Sequence, residues 1–259
     1  MEDITGDRVH VSVHIEGTTD STFLSELGHL YGAEHVLVYQ LANKRFLRLS
    51  DLPNNPAASL LKLGKDLLES TPFISQIIPE NGGIPPSPEG GFARNELPAD
   101  TAVVHGHFKP NLFQGIFVNP FISVILKDPL ERVITLYEEW KSKSGKVDWR
   151  ATIPFKKTTS FKEFALSEEF TNFQSDSLGN KRLGDYDLVG IADCQAGFIA
   201  QLKNKDWTGY INPAPSDYPL HKPRYKNLGI DQDFLEEFKA ANQMDYAIYQ
   251  QAKDFMGYC

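Results

Sequence analysis

Two histidines flank a glycine at His105, Gly106 and His107, directly after the apolar pair Val103 and Val104. An imidazole with an ordinary pKa of about 6.5 exchanges protons at neutral pH. It also ligates metals, or fills a core when hydrogen-bonded. The pair therefore reads as a general base with its partner, as two metal ligands on one strand face, or as two packed histidines. No Asp, Glu or Cys cluster with metal-ligand spacing accompanies it, and no metal is expected.

A second candidate lies at Glu16, Gly17, Thr18, Thr19, Asp20, Ser21 and Thr22, between an alternating apolar stretch and an amphipathic one. Strand, polar loop, then helix presents backbone N–H groups and hydroxyls to an anion at a helix N-terminus. Ser, Thr and Asp are equally the usual capping residues there. No Gly-Lys-Ser/Thr ending makes it a Walker loop, and the Rossmann glycine pattern is missing. The third candidate is Lys127, at the end of the apolar run 121–128, with Thr135 on the segment that follows. Open α/β sheets bind ligands at the carboxyl ends of their strands, so a cation and a hydroxyl placed there suit a phosphate.

These residues need elements to position them. Residues 8–15 alternate with period two, as a strand does, and 34–41 read as a second strand. Phe23, Leu24, Leu27, Leu30 and Tyr31 share a helical face, with Gly32 as the stop. Residues 56–70 predict an amphipathic helix, and 101–108 a short buried strand. Residues 121–128 predict a strand covered on both faces. Asp128, Pro129 and Glu131 mark a helix start, followed by a stripe of Leu130, Val133, Ile134, Tyr137 and Trp140. Residues 186–191 predict a last strand, and 231–256 one or two helices. Segments 79–98 and 141–160 read as irregular loops or insertions, the latter basic through Lys141, Lys143, Lys146, Arg150, Lys156 and Lys157. Strands alternating with helices predict one α/β domain over 1–259, with a central, largely parallel sheet flanked by helices.

The net charge of −8 argues against a nucleic-acid binder with a broad basic face. Two cysteines, Cys194 and Cys259, are too few for a disulfide framework, and no apolar run reaches membrane-spanning length. These features predict a reduced, cytoplasmic protein with no membrane partner; they are silent on oligomeric state.

With the three candidate segments in this order, the chain resembles the sulfotransferases, in the branch that includes the heparan sulfate 2-O-sulfotransferases and bacterial relatives. The likeness runs from about residue 9 to 252. It rests on the 16–22 loop, on His105-Gly106-His107-Phe108, and on Lys127-Asp128-Pro129-Leu130-Glu131-Arg132-Val133-Ile134-Thr135-Leu136-Tyr137. "NFQSDSLGN", "YDLVGI" and "DYAIYQQA" match later landmarks more loosely. The resemblance implies a sulfotransferase-like (P-loop-kinase-like) architecture. It also implies transfer of a sulfuryl group from 3′-phosphoadenosine-5′-phosphosulfate (PAPS) to a hydroxyl of a carbohydrate or small-molecule acceptor, without a metal. It makes His107 the base, with His105 orienting the acceptor or its partner. Gly17, Thr18, Thr19, Asp20, Ser21 and Thr22 would hold the 5′-phosphosulfate. Lys127 and Thr135, where the family has arginine and serine, would hold the 3′-phosphate. Gly17 stands where the family usually has a lysine. Lys109, or Lys181 and Arg182, would supply that cation, or Glu16 would act as a second base or orienting group. The alternative is a relative that binds nucleotide or glycan without transfer.

Overall fold

The computed structural model describes residues 8–19, 21–40, 45–52, 97–142, 158–179, 181–204 and 228–256. Asp20, the helix predicted over 56–70, most of segments 79–98 and 141–160, and Cys259 lie outside these residues.

Six strands form one sheet: β1 (His10–Val13), β2 (Val36–Gln40), β3 (Arg45–Arg48), β4 (Val103–Gly106), β5 (Phe121–Leu126) and β6 (Leu188–Ile191), in the order β3-β2-β4-β1-β5-β6. β2 runs parallel to β4, with Val38 opposite His105, and β5 runs parallel to β6, with Ser123 opposite Leu188. β3 lies antiparallel on the edge, Leu37 facing Arg48. The fold is α/β around a mixed, mostly parallel sheet, as the alternation of patterns predicts. β5 is buried along its whole length, which is why it reads as a continuous apolar run. β3, "RFLR", gives no such signal. It is a short edge strand flanked by charge, held through its backbone pairing with β2.

The chain divides into two compact units, residues 1–12 with 20–122, and residues 13–19 with 123–259. In the first, helix α1 (Ser21–Tyr31) buries Phe23, Leu24 and Leu27. Its C-terminus is closed by Gly32, whose N–H donates to Gly28 O at 3.0 Å with φ 84°. In the second, helix α2 (Pro129–Ser142) starts at Asp128, whose Oδ1 accepts from Leu130 N at 3.0 Å and Glu131 N at 3.1 Å. Its predicted stripe packs with α3 (Phe161–Ala165) and α6 (Gln232–Ala241) into an aromatic core. Tyr137 meets Phe161 and Phe164 edge-on, each with ring centroids 5.3 Å apart. The unit also holds α4 (Phe173–Ser177), α5 (Gln195–Asn204) and α7 (Gln243–Met256). Of these, α7 falls in the predicted C-terminal helical segment, whereas α3, α4 and α5 carry no sequence signal strong enough to place them.

Among the described residues, no helix is long and apolar enough to cross a membrane.

Candidate functional site

In the first unit, β4 ends at Gly106, so His105 is the strand's penultimate residue and His107 lies in the bend that follows. The strand predicted over 101–108 is thus shorter at both ends, and period-two pairing of the two histidines does not extend to His107. His105 is buried, 5% exposed. Its Nδ1 shares a 2.9 Å hydrogen bond with Ser12 Oγ on β1, and its ring lies 5.6 Å from that of Phe23 on α1. His107 is half-buried. Between them, Gly106 has φ +155°, and a Cβ there would lie 2.7 Å from Tyr39 Cβ and 3.0 Å from Tyr39 O. Close approach of β2 therefore dictates the glycine. His105 is the histidine fixed by packing, and His107 the one presented beyond the strand end.

The 16–19 turn belongs to the second unit. Thr18 donates its hydroxyl proton to Ile15 O at 2.6 Å, and its N–H reaches the same carbonyl at 3.2 Å. That hydroxyl closes the turn. Thr19 Oγ1 shares a 3.1 Å hydrogen bond with His14 Nδ1. Burial pushes the His14 imidazole down to about 4, so it is neutral at physiological pH. His14, immediately after β1, is thereby tied to the turn that follows it. Ser21 opens α1, and Thr22 is exposed on its first turn.

Glu16 is buried, and its carbonyl faces Arg132 Nη1 at 3.5 Å. Arg132 is 0% exposed; Nη2 donates to Phe170 O at 3.1 Å, and its guanidinium carbon lies 4.8 Å from the Phe173 ring centroid. Gly17 has φ +79°, and a Cβ there would lie 3.0 Å from Arg132 O and 3.1 Å from Leu136 Cγ. A side chain at 17 is disfavoured by backbone and by space. Gly17 is thus built into the turn, and a larger residue would not sit there without rearrangement. The signal for Arg132 was in plain view: a charge inside the "DPLERV" run, flanked by stripe residues.

Lys127 follows β5, and its Nζ donates to Thr135 Oγ1 at 2.9 Å, in the second turn of α2. Thr135 in turn gives its proton to Glu131 O at 2.9 Å. The hydroxyl therefore acts as an acceptor that aims the ammonium. Of the predicted cofactor residues, these two are brought together directly. Lys109 is exposed ahead of the turn at Pro110–Phe113, Lys181 is half-exposed, and Arg182 is exposed. Among the described residues, no group of three or more His, Cys, Asp or Glu is placed to hold a metal ion. Neither a protein-family model nor a curated protein matches this chain.

Proposed function

We propose that the protein transfers a sulfuryl group from PAPS to a hydroxyl of a carbohydrate or small-molecule acceptor. The observation that carries this reading is the Lys127 to Thr135 contact of 2.9 Å at the end of a fully buried strand. It gives the third segment of the sulfotransferase pattern a fixed, aimed cation of the kind a 3′-phosphate requires. Lysine lacks the bidentate fork of the family's arginine, so Thr135 compensates by fixing its direction. PAPS supplies an activated sulfuryl group with a nucleoside bisphosphate as leaving group. His107 takes the acceptor proton as the acceptor oxygen bonds to sulfur, and the bridging S–O electron pair leaves with adenosine 3′,5′-bisphosphate. His105, locked by Ser12 and Phe23, orients its partner. On this reading Thr18, Thr19, Ser21 and Thr22 serve the 5′-phosphosulfate, with Glu16 as second base or orienting group.

A second reading is favoured by one observation. Gly17 closes the position from which the family's lysine stabilises the leaving group, and Thr18 spends its hydroxyl proton on Ile15 O. A protein that binds nucleotide or glycan without transfer fits that turn. Calorimetry with adenosine 3′,5′-bisphosphate, followed by transfer of radiolabelled sulfate from PAPS to an acceptor panel, separates the readings. Binding with transfer supports the enzyme, binding without transfer supports the second reading, and no binding overturns both.

A further inference from the structure

Resting on the reading of Lys127 as the 3′-phosphate cation, we infer that Gln174 is a positioning residue for it. Gln174 is 0% exposed and sits in α4, 47 residues from Lys127. Its Oε1 accepts from Lys127 N at 2.9 Å, and its Nε2 donates to Lys127 O at 2.8 Å. A single primary amide thus satisfies both main-chain groups of Lys127, as a neighbouring strand would, one residue beyond the end of β5. The side chain emerging from that residue is the one whose Nζ meets Thr135. Lys127 is fixed at both ends, by Gln174 at the backbone and by Thr135 at the ammonium.

Gln174 is itself held by a reciprocal cap. The buried Asp245 carboxylate on α7 accepts from Gln174 N at 3.0 Å and from Ser175 N at 2.8 Å, the first-turn amides of α4. In return, Asn172 Oδ1 accepts from Met244 N at 3.0 Å and Asp245 N at 3.3 Å, the first-turn amides of α7. Each segment supplies the other's missing N-cap. Asn172 N donates to Asn242 Oδ1 at 3.0 Å, and Asn172 Nδ2 donates to Ala241 O at 3.0 Å, tying the two turns together. Asn172 adopts a left-handed φ of 49°, a conformation asparagine tolerates better than most residues. The chain of contacts runs from α7 through Asp245 and Gln174 to the main chain of Lys127. The C-terminal helix pair thereby sets where the cation points.

The test compares full-length wild type with Gln174→Met, which keeps the volume and removes both bonds, and Gln174→Glu, which keeps the acceptor and removes the donor. Calorimetry measures adenosine 3′,5′-bisphosphate against adenosine 5′-monophosphate, with circular dichroism as the check on folding. The expected result is about a tenfold loss of bisphosphate affinity with the monophosphate unchanged, and no further loss when Gln174→Met is added to Lys127→Ala. Equal loss for both nucleotides, or a further loss in the Lys127→Ala background, would mean a merely structural residue and overturn the inference. Unchanged bisphosphate affinity overturns it as well. If the Met variant does not fold, the Glu variant carries the same comparison. Amide hydrogen exchange at Lys127 needs no nucleotide: faster exchange in the Gln174 variants supports the clamp, and equal protection overturns it. Wild type that binds neither nucleotide overturns the proposed function, and the exchange result still decides the clamp.

Discussion

The ends of β4 and β5 each present a residue suited to group transfer, and they are held in different ways. At β4, His105 is gripped through its own ring by Ser12 and Phe23, while His107 stands past the last strand residue. At β5, the grip is on the main chain of Lys127 through Gln174, backed by Asp245, with Thr135 taking the ammonium. A proton-transfer group needs one nitrogen presented and room to exchange, so its neighbour carries the packing. A phosphate-binding cation needs a fixed point charge at the end of a long flexible stem. Holding that stem at both ends cuts the rotamer entropy that binding would otherwise cost. The two strand ends therefore differ in the way the proposed base and the proposed binding cation require.

Four substitutions or conditions test that contrast, in falling order of expected effect. His107→Ala should lower sulfuryl transfer by about 10²- to 10⁴-fold with nucleotide affinity unchanged, read by label transfer and calorimetry. A large loss of nucleotide affinity would move His107 out of the base role. Asp245→Ala should cost about 3–5 kcal/mol in urea unfolding. It strips two α4 amides of their acceptor and removes the carboxylate that faces the buried Arg132 charge. A cost below about 1 kcal/mol would show that the β5 end does not depend on α7. Gly106→Ala should destabilise by about 1–3 kcal/mol, because its Cβ would lie 2.7 Å from Tyr39 Cβ. Unchanged stability would mean that β2 moves aside freely.

The smallest effect is a pH slope. Burial against Phe121 and Tyr31 pushes the His10 imidazole on β1 down to about 3. Its folded pKa lies below the unfolded value, so the unfolded chain takes up the proton first as pH falls. The stability present above about pH 6.5 is then lost toward pH 3, at up to about 1.4 kcal/mol per pH unit. His14 acts with the same sign over a window ending at about 4. Asp245 acts oppositely: burial raises its carboxyl, so its share is present at low pH and fades as pH rises through the folded value. Urea midpoints from pH 7.5 to 5 should fall for wild type and fall less steeply for His10→Asn. Parallel slopes would remove His10 as a source of acid sensitivity.

How much of this was legible is clearest in α2. Asp128 as cap, Pro129 in the first turn and the stripe from Leu130 to Trp140 are local signals, and the helix forms where they say. The six-residue run of β5 and the Gly32 stop of α1 are of the same kind. Lys127 and Thr135 were also legible as neighbours, because eight residues across a strand-to-helix turn bring them together. Gln174 was not. Its partners lie 47 and 71 residues away in the chain, and a glutamine in "NFQSDS" has no periodicity to mark it. Arg132 stands among the stripe residues of α2, but its contact with the Glu16 carbonyl depends on a turn more than a hundred residues earlier.

The sequence by itself determined the α/β alternation, the caps and stripes, and which residue types stand at the ends of β4 and β5. Those follow from backbone geometry and hydrophobic period, which act over a few residues. The tertiary structure alone decided how each polar group is used: Thr18 closing its own turn, Thr135 aiming a lysine, and Gln174 serving as a strand's missing neighbour. A hydroxyl, amide or guanidinium has the same chemistry in every sequence. Its role is set by which donor or acceptor reaches it first once distant segments pack, because a buried polar group must be satisfied there.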